Sequence, residues 1–296
     1  MVNKTFRKGY IFFGIIIFMN YWMRTILLMG LLAGLFAGIG YLIGNTYGFY
    51  FGLIVVLGMN FFSFWFSDKI VLFMYRAKEA DRNKHAHLYS LVKEIAEKAG
   101  ISMPKVYIIP SANPNAFATG RGPKHSAVAV TEGIINLLND KELKGVIAHE
   151  FAHIKNHDIL IGSFAAVLAG TIAYIASMAR WTAIFGGFGD RDDSGGVIGF
   201  LVLAIVAPLI ATLIHLAISR SREYLADRTG AGFISDSNSL ADALLKLEGG
   251  KPMAFGNSGS AHMFIVNPFK ANAILNLFST HPPIKERVHK LREMSL

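Results

Sequence analysis

The sequence predicts a mainly α-helical membrane protein with about four transmembrane helices and polar α+β regions that include a small antiparallel sheet. Three observations predict it. The 296 residues are 53% hydrophobic and only 17% charged, with a mean hydropathy of +0.42, too apolar for a water-soluble chain of this length. Four apolar stretches reach the ~20 residues that a helix needs to cross the hydrocarbon. Between and after them lie polar segments with helical periodicity and short β-prone runs.

The apolar stretches are Thr25–Ile43, Gly48–Phe66, Ile159–Met178 and Val197–Ile218, the last interrupted only by Pro208 and His215. The run Tyr10–Met19 is too short to span and stops at Asn20 and Arg24, so it reads as an interfacial or dispensable extension. His215, an ionisable group at membrane depth, is a functional candidate by default, but about 12 Å of straight helix separates it from Glu223, which favours a neutral packing residue. Orientation follows from the basic residues. Lys4, Arg7, Lys8 and Arg24 precede the first span and Lys69, Arg76, Lys78, Arg82 and Lys84 follow the second, whereas the link between the third and fourth holds Arg180 and Arg191 against Asp190, Asp192 and Asp193. Both termini and both polar regions are therefore expected on the cytoplasmic face of a cell (plasma or inner) membrane. The chain divides into an extension (1–24), a transmembrane hairpin (25–67), a polar region (68–158), a second hairpin (159–218) and a second polar region (219–296).

The first polar region opens with an amphipathic helix whose apolar face is Leu88, Leu91, Val92, Ile95 and Ala99, stopped at Gly100. Three β-prone runs follow, at 105–109, 115–119 and 126–130, and then a helix from Asn139, which has capping-box spacing to Glu142. The second polar region is mostly helical around a Gly-rich loop, Gly249–Ser260. The net charge of +9 sits beside the apolar segments instead of forming a basic, aromatic-interleaved face, which indicates lipid headgroups as the partner and no nucleic acid. Cysteine is absent, so any metal must sit on His and carboxylate.

The chemistry centres on His149-Glu150-Phe151-Ala152-His153. Imidazoles four residues apart share a helix face and can chelate one Zn²⁺, with Glu150 placed to take a proton from water. Val146, Ile147, Phe151 and Ile154 make this a buried helix, where two unpaired histidines would be costly. His157 continues that face, but eight residues of helix raise it about 12 Å above His149, too far to share an ion. Glu223 is the favoured third ligand, because the second hairpin returns the chain to the face it left; Glu248 and Glu286 are weaker rivals. Asp227, one turn beyond Glu223, can orient a ligand imidazole. From His153 to Ile159 is about 9 Å of helix, which keeps the metal close to the bilayer. The remaining histidines, His85, His87, His125, His262 and His289, read as surface groups.

From Thr25 to the C-terminus the chain resembles the M48 metallopeptidases, in particular their bacterial and archaeal heat-shock membrane proteases. The landmarks are residues 59–68, Pro114-Asn-Ala-Phe-Ala-Thr-Gly120, the histidine helix, Ser219-Arg-Ser-Arg-Glu-Tyr-Leu-Ala-Asp227 and Thr280-His-Pro-Pro with Arg287-Val288. The resemblance implies a zincin-like (gluzincin) metalloprotease domain with one Zn²⁺ held by His149, His153 and Glu223, and Glu150 as catalytic base. It also implies a substrate-binding edge strand of Asn115, Ala116, Phe117, Ala118, Thr119 and Gly120. His281 and Arg287 fall on a family motif and are candidates for transition-state support, with structural pairing as the alternative. The implied function is a stress-response endopeptidase acting on misfolded or damaged membrane proteins, cooperating with other membrane quality-control proteases and able to cleave itself once zinc is supplied. Competing classes are an intramembrane site-two-type protease, processing of prenylated peptides, and a non-enzymatic zinc-stabilised scaffold or holdase. Against the first, Lys155, Asn156, His157 and Asp158 separate the motif from the next apolar run and a Leu-Asp-Gly motif is missing. Against the last, a structural zinc usually has four protein ligands.

Overall fold

A computed structural model describes residues 21–162, 220–248 and 282–295. The chain divides into two units, Met1–Phe62 and Ser63–Leu296. The first contains most of helix α1 (Tyr21–Met74), which breaks at Gly44 and at Asn45, the latter with φ 52°. The two arms fold back on each other. A Cβ on Gly40 would lie 2.1 Å from the Gly48 carbonyl oxygen, and one on Gly52 2.3 Å from that of Phe36, so only glycine allows this approach. Near the far end of the hairpin the Asn60 side-chain amide donates to the Met29 carbonyl at 3.3 Å. Outward-facing Tyr41, Tyr47, Tyr50, Phe51, Ile54, Leu57, Phe61 and Phe62 leave an apolar surface suited to lipid.

Among the described residues one helical segment, Gly44–Phe62, is long and apolar enough to cross a membrane. The first expected span, Thr25–Ile43, is helical but does not meet that measure there. The expected third and fourth spans, with His215, lie outside the described residues apart from 159–162, as do the extension before residue 21 and the Gly249–Ser260 loop.

The second unit holds a four-stranded sheet of β1 (Lys78–Glu79), β2 (Lys105–Ile109), β3 (Ala116–Gly122) and β4 (His125–Thr131), in the order β1-β2-β4-β3. The expected antiparallel sheet is in fact mixed, since β4 runs parallel to β2 and antiparallel to β3 and β1 antiparallel to β2. The link after β2 carries the chain past the neighbouring position, so β3 becomes the edge and β4 returns into the gap in the direction of β2. Strand β1, two residues long, is too short to register in a hydropathy pattern.

Helices cover this sheet. Helix α2 (Ala86–Ala99) buries its expected stripe and ends at Gly100 with φ 67°. Thr131 closes β4 and its hydroxyl caps α3 (Glu132–Leu137). Helix α4 (Asp140–Lys155) has both arms of the expected capping box, with Glu142 N–H donating to Asn139 Oδ1 at 3.0 Å and Asn139 N–H donating to Glu142 Oε2 at 2.9 Å. It is the central helix, with Ile147, Phe151 and Ile154 fully buried among α2, β3, α5 (Arg220–Ile234) and α6 (Asn238–Glu248). The last described helix, α7 (Ile284–Arg292), packs on α5 and α6.

Two corrections follow at the end of α4. The helix stops at Lys155 and His157 has φ 60°, so His157 does not continue the ligand face, and the path from His153 to Ile159 is not a straight helix. A left-handed residue turns the chain there, and 158–162 are helical again with Ile159, Leu160 and Ile161 buried.

Helices α4 and α5 meet backbone to backbone: a Cβ on Gly230 would lie 2.8 Å from the carbonyl of Ala148 and the nitrogen of His149. Gly230→Ala is expected to destabilise the fold by about 1–3 kcal/mol, read as a lower thermal midpoint in detergent. An unchanged midpoint would show that the two helices are not held at this spacing.

Candidate metal centre

His149 and His153 lie one turn apart on α4, and Glu223 comes from the first turn of α5. Their Nε2 atoms are 3.2 Å apart; Glu223 Oε2 is 3.7 Å from that of His149 and Glu223 Oε1 3.5 Å from that of His153. One ligand atom from each residue falls within a 4.8 Å cluster, the one such group among the described residues. Glu248 and Glu286 are not in it. Glu248 is exposed at the end of α6, and Glu286 accepts a 2.7 Å hydrogen bond from the Tyr224 hydroxyl.

Both imidazoles present Nε2 to the cluster because their Nδ1 atoms are held by carboxylates. Asp227 Oδ1 is 2.9 Å from His149 Nδ1, and Asp158 Oδ2 is 3.3 Å from His153 Nδ1. Asp227 is gripped by Arg287 of α7, Nη2 to Oδ1 at 2.6 Å and Nε to Oδ2 at 2.9 Å. Arg287 is fully buried, 3.6 Å from Glu223 Oε2 and 3.5 Å from the His149 ring nitrogens. Burial disfavours the Asp227 charge, but the Arg287 charge and the hydrogen bonds from His149 and Arg287 hold its carboxyl down at about 2. Burial likewise opposes the charge of His153, yet the bond to Asp158 and the Glu223 carboxylate lift it to about 9.

Glu150 points off the ligand face towards β3, and its Oε2 accepts from the Ala118 N–H at 2.8 Å. Burial raises its carboxyl above the ordinary range against the pull of both histidines, which suits a group that must gain and lose a proton. Strand β3 is the sheet edge and Ala118 uses its open side. Asn115 lies just before the strand, its backbone N–H and carbonyl both bonded to Thr131. Ala116, Phe117, Ala118, Thr119 and Gly120 are in the strand and buried.

The donor set fits zinc: two imidazole nitrogens and a carboxylate, each imidazole oriented from behind, with the metal taking the place of the proton that His153 otherwise holds. Charge fits as well. The carboxylates of Glu150, Asp158, Glu223 and Asp227 outnumber the guanidiniums of Arg222 and Arg287, and the acidic surplus that raises the proton affinity of His153 equally favours a bound cation.

His281 lies outside the described residues. Two residues here went unmarked in the sequence, Asp158 and Arg222, whose Oδ1 and Nη1 are 3.4 Å apart. Their signal was present, an acid soon after the second histidine and an arginine beside Glu223, but the helix break that unites them has no glycine to mark it. Of the histidines expected at the surface, His87 pairs with Asp140 and His289 with Glu293, both exposed.

Residues 82–295 match peptidase family M48. The chain is 52% identical over 274 residues to a protease HtpX homolog of Desulfatibacillum aliphaticivorans, covering 91% of this chain and 88% of that one. It is 51% identical over 278 residues to the protease HtpX homolog of Thermococcus kodakarensis, covering 93% and 96%. The crystal structure of S. mikatae Ste24p shares the fold at 18% identity, with a TM-score of 0.51 over 91% of this chain; the chain spans 65% of the length of that protein. Family match and close relatives agree, and the chain belongs to peptidase family M48, as a membrane metalloprotease.

Proposed function

We propose that the protein is a membrane-anchored zinc endopeptidase that hydrolyses misfolded or damaged membrane proteins on the cytoplasmic side of the plasma or inner membrane. The observation that carries this reading is the convergence of His149, His153 and Glu223 beside a glutamate bonded to an open sheet edge. Zinc, when bound, polarises a peptide carbonyl and acidifies a water. Glu150 accepts the proton of the attacking water and delivers it to the departing amine, and its raised affinity for a proton favours the first half of that cycle. Asn115 to Gly120 receive an extended substrate backbone, whose main-chain hydrogen bonds demand little of its side chains. Arg287 holds Asp227, and through it His149, so we read it as an organising residue in place of transition-state support.

The membrane assignment draws on the apolar Gly44–Phe62 helix, and the cytoplasmic orientation on the basic residues that flank the apolar segments. Polypeptides and the lipid bilayer are the partners, together with other quality-control proteases. Juxtamembrane segments of neighbouring proteins are the substrates within reach, because the apolar run begins at Ile159, just after the ligand helix.

Three outcomes test this reading in detergent-solubilised protein. Glu150→Gln is expected to retain one zinc per chain by metal analysis while casein cleavage falls by roughly 10²–10⁴-fold; an active variant would remove Glu150 as the base. His149→Ala and Glu223→Ala are each expected to lose both zinc and cleavage, and full zinc in Glu223→Ala would take it out of the ligand set. Stripping the metal with a chelator is expected to lower the thermal midpoint and restoring zinc to raise it, since a ligand bound only to the folded state stabilises by mass action. A midpoint indifferent to zinc speaks against a metal at this buried cluster.

A further inference from the structure

The two metal-facing imidazoles differ in how firmly the surrounding protein confines them. The His149 side chain is 2% exposed and that of His153 16%. His149 is enclosed by α5 and backed by Asp227 and Arg287. His153, in the last turn of α4, has less around it and depends more on a specific contact for its orientation.

That contact is built by the turn after α4. On an uninterrupted helix Asp158, five residues beyond His153, would sit roughly 140° away around the axis. The left-handed backbone at His157 undoes that rotation and returns Asp158 to within 3.3 Å of His153 Nδ1. The other carboxylate oxygen faces Arg222 Nη1 at 3.4 Å, and Arg222 is the residue before Glu223. Two other carboxylates act on His153: Glu223, whose Oε1 is 3.5 Å from Nε2, and Glu150, which is bonded to β3.

We infer that Asp158 is the positioning residue for His153, keeping Nδ1 as the hydrogen-bond donor and Nε2 turned to the metal, and that Arg222 locks Asp158 in place. The inference rests on the metal-centre reading proposed above. Each ligand imidazole then has its own carboxylate and guanidinium behind it: Asp227 with Arg287 for His149, and Asp158 with Arg222 for His153. The second set ties the end of α4 to the start of α5, the two places that supply His153 and Glu223.

The test uses the full chain in detergent, carrying Glu150→Gln to prevent self-digestion, stripped of metal and titrated with Zn²⁺ against a chromophoric chelator. Asp158→Ala is expected to weaken zinc binding about 10- to 100-fold. Asp158→Asn, which keeps an acceptor oxygen but no charge, and Arg222→Gln are expected to weaken it less. The visible absorption of the Co²⁺-loaded protein should change in Asp158→Ala, and zinc affinity in both Asp158 variants should fall by more than the loss of a partner for Arg222 lowers the metal-free stability. Parent-like zinc affinity and cobalt spectra in both Asp158 variants would overturn the inference. So would a loss of affinity matched by an equal fall in the metal-free midpoint, which assigns Asp158 to the fold alone; Asp158→Asn decides the matter if Asp158→Ala fails to fold. A parent that takes up no zinc sinks the metal-centre reading itself, a result distinct from variants that match a zinc-binding parent.

Discussion

The centre depends on one steric constraint, the direct contact of α4 and α5 backbones at Gly230. Glu223, Asp227 and Gly230 are spaced i, i+4 and i+7, so they share one stripe of α5, and the glycine lets that stripe lie against α4. From there Glu223 reaches the Nε2 atoms and Asp227 reaches His149 Nδ1. A wider spacing would move both carboxylates at once, which makes the arrangement of the candidate ligands a consequence of helix packing more than of any one side chain.

Burying this many charges is tolerable only because each has a partner. Removing one member of such a set leaves another charge stranded, which is far more costly than losing an exposed ion pair. Arg287 illustrates the point: fully buried, it answers Asp227 and approaches Glu223 and His149. Burial makes its guanidinium easier to discharge, but the carboxylates around it reverse that and raise its proton affinity. Helix α7 therefore reaches the candidate metal centre through Arg287, which holds Asp227 and lies outside the cluster of His149, His153 and Glu223.

What could be read from sequence was what is local. The histidine pair, the Asn139–Glu142 cap, the α2 stripe and the Gly100 stop are all patterns of a few residues, and each is found where expected. Glu223 was legible only beyond local pattern, through topology, as the first acid after the chain returns, and through the family motif it sits in. The mixed sheet was not legible, because strand direction depends on where β3 and β4 settle relative to β2 and not on their own residues. Asp158 and Arg222 were hidden by a left-handed histidine where a glycine or asparagine would have announced the turn. Without that turn, His157 itself looked like the continuation of the ligand face.

The bond from the Ala118 amide to Glu150 places the proposed proton acceptor on the strand edge proposed to take the substrate. A guest aligned by main-chain pairing there must surrender several consecutive peptide groups from whatever fold it had. On that reading the turnover of a target is governed by its own local opening equilibrium, and a well-packed neighbour in the same bilayer escapes cleavage however its side chains are ordered.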